Sequence, residues 1–151
     1  MGEQKAEKMW IFKNKTGDKD VCLIPEATAI IQEAWNNGWN VTKKKPYKLF
    51  YVSRCYRYDR PQKGRYREFT QFGVEVLGNT SDEVVSETKE LLKTCLDSLD
   101  IEYNFVDDVI RGIGYYTENG FEAECQNLGA QKQIAGGGTY TEGVGWAIGI
   151  D

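Results

Sequence analysis

The stretch YRYDRPQKGRYREFTQFGVEVLG, residues 56–78, constrains the fold of this chain more than any other. Apolar and polar residues alternate on both sides of a loop that carries four cations in eight residues, Arg60, Lys63, Arg65 and Arg67. A period of two marks a strand with two unlike faces. Two such runs, 47–59 and 67–78, predict a long antiparallel hairpin with the basic loop at its tip. Within 69–77 the even positions Thr70, Phe72, Val74 and Val76 make a mostly apolar face, which should pack against helices. The odd positions are Phe69, Gln71, Gly73, Glu75 and Leu77. If odd faces meet across the hairpin, Arg57 falls near Gln71 and Glu75, around the gap that Gly73 leaves. An amide, a carboxylate and a guanidinium around such a gap can hold a zwitterion or a nucleotide phosphate. An exposed sheet face with one ion pair is the alternative.

Charge sharpens the choice. Residues 43–67 carry ten Lys and Arg against one acid, Asp59, in a chain whose net charge is −4. A basic strip on an acidic body suits a phosphate-bearing partner, and suits a solvated hairpin equally. The chain has no histidine, which excludes serine–histidine and cysteine–histidine catalysis. Its four cysteines, Cys22, Cys55, Cys95 and Cys125, form no CxxC pair, so no metal site is expected and free thiols are. No apolar run approaches the length of a membrane span, and MGEQKAEKMW has no apolar core for a secretory signal. A cytoplasmic location is the expectation.

The remaining segments complete an α+β reading. MWIFKNKTGDKDVCLI predicts a hairpin around a KTGDKD turn, and IPEATAIIQEAWNNGW a short helix with Pro25 in its first turn and NNG at its end. TSDEVVSETKELLKTCLDSL predicts a helix opened by a Thr80–Glu83 capping box, with Val84, Leu91, Leu92, Cys95, Leu96 and Leu99 at helical spacing. The last 41 residues hold ten of the sixteen glycines, threaded by β-like runs in GYYTENGFEAEC, KQIAGGGTY and VGWAIGID. These predict antiparallel strands with close backbone approaches. The expected architecture is one domain over 1–151, an antiparallel β-sheet flanked by helices, with the helices on one side.

At these residues the chain resembles class II aminoacyl-tRNA synthetases of the histidyl branch. YRYDRPQKGRYREFTQFGVEVLG resembles motif 2. CLIPEATA resembles the leucine-arginine-proline-glutamate-glycine-threonine segment, RGIGYYTENGFE the histidyl-specific double-tyrosine motif, and LGAQKQIAGGGTY the glycine-rich strand behind the histidine pocket. The resemblance spans roughly residues 8–150. It implies a class II synthetase-like core that binds histidine and ATP with Mg2+ and forms histidyl-adenylate. It assigns the α-phosphate to Arg57 and Arg111 as catalytic residues, and places Asp59 and Arg67 with them on the ATP side. Glu26 and Thr28 match residues that bind the α-amino group. Gln71, Glu75, Tyr115, Tyr116 and Tyr140 complete the amino-acid pocket. The loop cations Arg60, Lys63 and Arg65 would reach the acceptor end of tRNA. No protein nucleophile is needed, so the absence of histidine is no obstacle.

The departures point the other way. The family's dimer-forming motif 1 belongs ahead of residue 8, and an anticodon-binding domain and the motif 3 arginine belong after Asp151. The segment between motif 2 and RGIGYY is reduced to about one helix. Ile24, Ala27, Gly114 and Thr139 stand where the family has arginine, glycine, aspartate and arginine. Three readings follow: a minimal histidine-activating core, a paralogue that binds an amino acid without turnover, and an RNA-binding or protein scaffold that uses the basic hairpin.

Overall fold

The computed structural model describes residues 7–110, 114–118, 120–129 and 132–151. The chain runs β1 (Ile11–Lys13), β2 (Asp20–Cys22) and helix α1 (Thr28–Ala34), followed by a π-helical turn (Trp35–Trp39) and one further turn (Asn40–Thr42). Then come β3 (Tyr47–Tyr56), β4 (Glu68–Leu77), helix α2 (Asp82–Ser98), β5 (Asn104–Val109), β6 (Gly120–Glu124), β7 (Gln133–Tyr140) and β8 (Gly143–Gly149). β1 and β2 form a small hairpin. The other six strands form one antiparallel sheet in the order β3-β4-β8-β7-β6-β5. This is the α+β class that the alternating runs predict.

The register of the central hairpin is odd to odd. Ser53 lies opposite Gln71, and Leu49 opposite Glu75. The even face is the apolar one: Val74 pairs with Trp146 and Val76 with Val144. Helix α2 covers it with Val84, Leu92 and Leu96, and the Trp146 indole N–H donates to the Thr88 carbonyl at 2.9 Å. On the opposite face Ala27, Ile31 and Trp35, from α1 and its flanks, pack on Leu77 and Tyr140. The helices are therefore divided between the two faces rather than gathered on one. The odd face is apolar only where Leu77 and Tyr140 meet α1; beyond that patch it turns polar, and the cavity opens there.

Two local expectations need correction. α2 begins at Asp82, after an N-cap Ser81 that makes no side-chain cap bond, so the Thr80–Glu83 box does not form. Asn79 Oδ1 instead accepts the Ser81 N–H at 2.9 Å, and Asp82 and Glu83 place negative charge at the helix N-terminus. α1 begins at Thr28, not at Pro25, whose carbonyl accepts the Arg57 Nε–H at 2.8 Å. The helix breaks as expected at Asn37 and Gly38, where glycine adopts φ +140°.

Candidate functional site

The odd face of β3 and β4 forms one wall of a cavity of about 820 Å³. Glu26, Thr28, Tyr51, Gln71, Tyr115 and Tyr116 line it together with Arg57, Asp59, Arg65 and Phe69. The hairpin register thus brings Arg57 and Gln71 to one concave surface, as the alternation predicts.

Glu75 lies one layer behind this wall and is fully buried. Thr28 Oγ1 donates to its Oε1 at 2.6 Å, and the Tyr140 hydroxyl donates to its Oε2 at 2.5 Å. Burial pushes its pKa up to about 7, against the pull of those two hydroxyls. Tyr140 is likewise behind the wall and 1% exposed. Its phenol is held protonated by burial first and by the Glu75 charge second. Two hydroxyls thus hold the carboxylate, and the Tyr51 hydroxyl lies 3.4 Å from one of them, Thr28 Oγ1. Tyr115 packs against Tyr116 and Tyr140, with ring centroids 4.7 and 6.0 Å away.

Glycines make the room for these side chains. A Cβ on Gly145 would collide with the Glu75 carboxylate, and one on Gly73 with the Tyr51 ring. Gly73 is therefore not an open gap on the sheet. Its missing side chain is the bed on which Tyr51 lies flat.

On the same cavity Arg57 stacks over the Phe69 ring, 5.0 Å from its centroid, while its Nε–H is held by the Pro25 carbonyl. Burial lowers the guanidinium pKa, opposed by neighbouring Cys55 and Asp59. Asp59 is 9% exposed and pairs with Lys8 at 2.8 Å. Arg67 does not line the cavity. It holds the Asp59 carbonyl at 3.1 Å and stacks over Tyr58, so it braces the strand end. Arg60 and Lys63 also lie off the wall. Lys63 donates to the Asn127 carbonyl at 3.3 Å, and a Cβ on Gly64 would sit 3.0 Å from Leu128. The loop thus docks against the turn after β6 and roofs the cavity. Arg111 lies outside the described residues.

Sequence reasoning missed Tyr51 as a wall residue, although it shares the odd face with Ser53, Cys55 and Arg57. It also missed Phe69 as a ring under Arg57, and Glu122 and Glu124, which alternate on β6 and both line the cavity.

Residues 10–142 match the model of the tRNA synthetase class II core domain (G, H, P, S and T). The chain belongs to this family. Among class II relatives, a histidine–tRNA ligase from Archaeoglobus fulgidus is 27% identical over 255 residues, covering 99% of this chain and 62% of its own length. One from Sulfolobus acidocaldarius is 43% identical over 117 residues, covering 78% of this chain and 27% of its own length. The crystal structure of apo Staphylococcus aureus histidyl-tRNA synthetase superposes with a TM-score of 0.77 at 25% identity, over 95% of this chain and 54% of that one. The class II core is thus histidyl-tRNA synthetase-like, and it spans only part of each relative's length. The Archaeoglobus match runs through 255 residues against 151 here, so that relative carries about a hundred more residues within the matched span. Among the described residues no helix is long and apolar enough to cross a membrane.

Proposed function

We propose that the chain binds histidine and ATP in this cavity and joins them as histidyl-adenylate. One observation supports the reading: carboxylate and hydroxyl acceptors line the same cavity as a guanidinium. Glu26 and Thr28 supply acceptors for an α-ammonium, and Tyr115 and Tyr116 supply rings around a planar side chain. Arg57 lines the same cavity as Gln71 with its Nε already held, leaving the outer guanidinium nitrogens for a phosphate. Phe69 under that guanidinium keeps its plane fixed.

The chemistry then needs no protein nucleophile. A carboxylate oxygen of the amino acid attacks the α-phosphorus, a new P–O bond forms, and the bond to pyrophosphate breaks. Negative charge grows on the phosphoryl oxygens and the leaving group, where a fixed guanidinium stabilises it without reorganising. Arg111 is the second cation in this proposal. Mg2+ would neutralise the polyphosphate, and Glu122 and Glu124 are among the cavity carboxylates, with Glu26, Asp59 and Asp151, that suit a hard cation. Arg60, Lys63 and Arg65 would meet the acceptor end of tRNA, and the cytoplasm is the proposed location. Dimerisation is left to measurement.

A second reading, binding without turnover, has its own support. Lys8 is bound to Asp59 at the ATP end, and Thr139 and Gly114 change the family's pattern around the double tyrosine. Amino-acid-dependent ATP–pyrophosphate exchange, run against all twenty amino acids, decides between the two. Exchange with histidine supports the enzyme. Histidine binding in a calorimeter with no exchange supports the binder. Exchange with a different amino acid overturns the histidine assignment.

A further inference from the structure

Cys55 is fully buried, shares the odd face of β3, and lies beneath Gln71 without lining the cavity itself. Its thiol donates to Gln71 Oε1 at 3.3 Å, with the Ser53 carbonyl a more distant acceptor at 3.7 Å. A glutamine amide has one acceptor end and one donor end. With Oε1 turned down onto the thiol, the two N–H donors of Gln71 face the other way. Gln71 lines the cavity, and opposite it on β8 a Cβ on Gly149 would meet nothing within 4 Å. Gly149 thus adds no side chain beside Gln71 on this face.

We propose that Cys55 is a positioning residue: its thiol fixes the Gln71 amide with the nitrogen toward the cavity, so that the site selects a ligand carrying an anionic oxygen beside its amine. An amide free to turn would present its oxygen to an ammonium equally well. Held as it is, Gln71 joins Arg57 as a donor to a carboxylate or phosphoryl oxygen, while Glu26 and Thr28 accept from the amine. The orientation therefore sorts an amino acid from the corresponding amine. This deepens the histidine reading above and rests on it for the choice of ligand.

The experiment compares histidine with histamine, which keeps the imidazole and the amine and lacks the carboxylate. Calorimetry gives the affinity ratio in the wild-type chain and in Cys55→Ala, Cys55→Val and Cys55→Ser. Valine refills the void that alanine leaves and still cannot donate. The expected result is a histidine preference that falls about tenfold in Cys55→Ala and Cys55→Val, the value of one hydrogen bond. Cys55→Ser should keep it, since a hydroxyl donates to the same oxygen. A thiol that only fills space would weaken both ligands alike and leave the ratio unchanged, which overturns the proposal. A ligand-free arm reads the Gln71 side-chain NH2 pair by nitrogen-15 NMR. Its shifts should move in Cys55→Val and return in Cys55→Ser; no movement in Cys55→Val overturns the positioning role whatever the ligand. If the wild-type chain binds neither compound while the NMR arm behaves as expected, the histidine reading fails and the hold on the amide stands.

Discussion

Glu75 carries the sharpest consequence at the scale of single residues. It is fully buried, and its folded-state pKa is raised to about 7 from an ordinary 4.5. A raised carboxyl binds its proton more tightly in the folded chain than in the unfolded one. Its contribution is therefore complete below pH 4.5 and is lost as pH rises toward 7, by about 3 kcal/mol in all. The difference in unfolding free energy between the wild-type chain and Glu75→Gln, followed from pH 4.5 to 7.5 by urea titration, should shrink in the wild type's disfavour over that window. A difference independent of pH would mean that Glu75 titrates in the folded chain as it does in the unfolded one. Gly145 is tied to the same carboxylate, because an added Cβ would strike Glu75 and lie 2.7 Å from the Val74 carbonyl. Gly145→Ala is expected to cost at least ~1–3 kcal/mol by overpacking, read as a lower urea midpoint.

Among the elements, the basic loop is the part whose charge does not hold the fold. Arg60 and Lys63 are exposed, and Lys63 donates to the Asn127 backbone carbonyl. Neutralising Lys63 and Arg65 should change stability by less than ~1 kcal/mol while weakening RNA binding and flattening its salt dependence. Equal RNA affinity across a salt titration would mark the loop as a solvated turn. What the sequence made legible follows a pattern. The central hairpin could be read because period-two alternation sets its register, which puts Val74 and Val76 on the apolar face under α2. The β6, β7 and β8 strands were legible through their glycines. β5 was not: NFVDDV carries adjacent acids, a register shift between Val106 and Val109, and Asp108 at φ +58°, so its alternation is broken. The site followed the same rule. Residues on the alternating odd face came together as read. The cap of α2, the bed of Tyr51 on Gly73 and the placing of Glu75 behind the wall depend on partners distant in sequence, which no local pattern announces.

For the whole molecule, the question is whether a chain that spans 62% of one relative and 27% of another keeps the activity of its class. Its own cavity is assembled from β3, β4, the turn before α1 and the C-terminal strands, so a ligand here ties all parts of the sheet together. Histidine at a hundredfold over its dissociation constant should then raise the unfolding free energy by roughly 2.7 kcal/mol. A thermal-shift screen with no response to histidine, and a response to another amino acid, would reassign the pocket. Activation asks more than binding. Arg57 has two duties, since its Nε also holds the Pro25 carbonyl ahead of α1. Arg57→Ala should therefore lose exchange and also cost ~1.5–3 kcal/mol of stability, the worth of a hydrogen bond from a charged donor. Arg111 is proposed to act on the phosphoryl charge alone. Arg111→Ala should cut pyrophosphate exchange about a hundredfold or more while histidine affinity stays within twofold, because a cation that meets charge grown in the transition state acts on rate. Losing histidine affinity along with exchange would place Arg111 in the amino-acid pocket instead. Exchange absent from the intact chain at saturating ATP and histidine, with histidine still bound, would leave the binding reading standing.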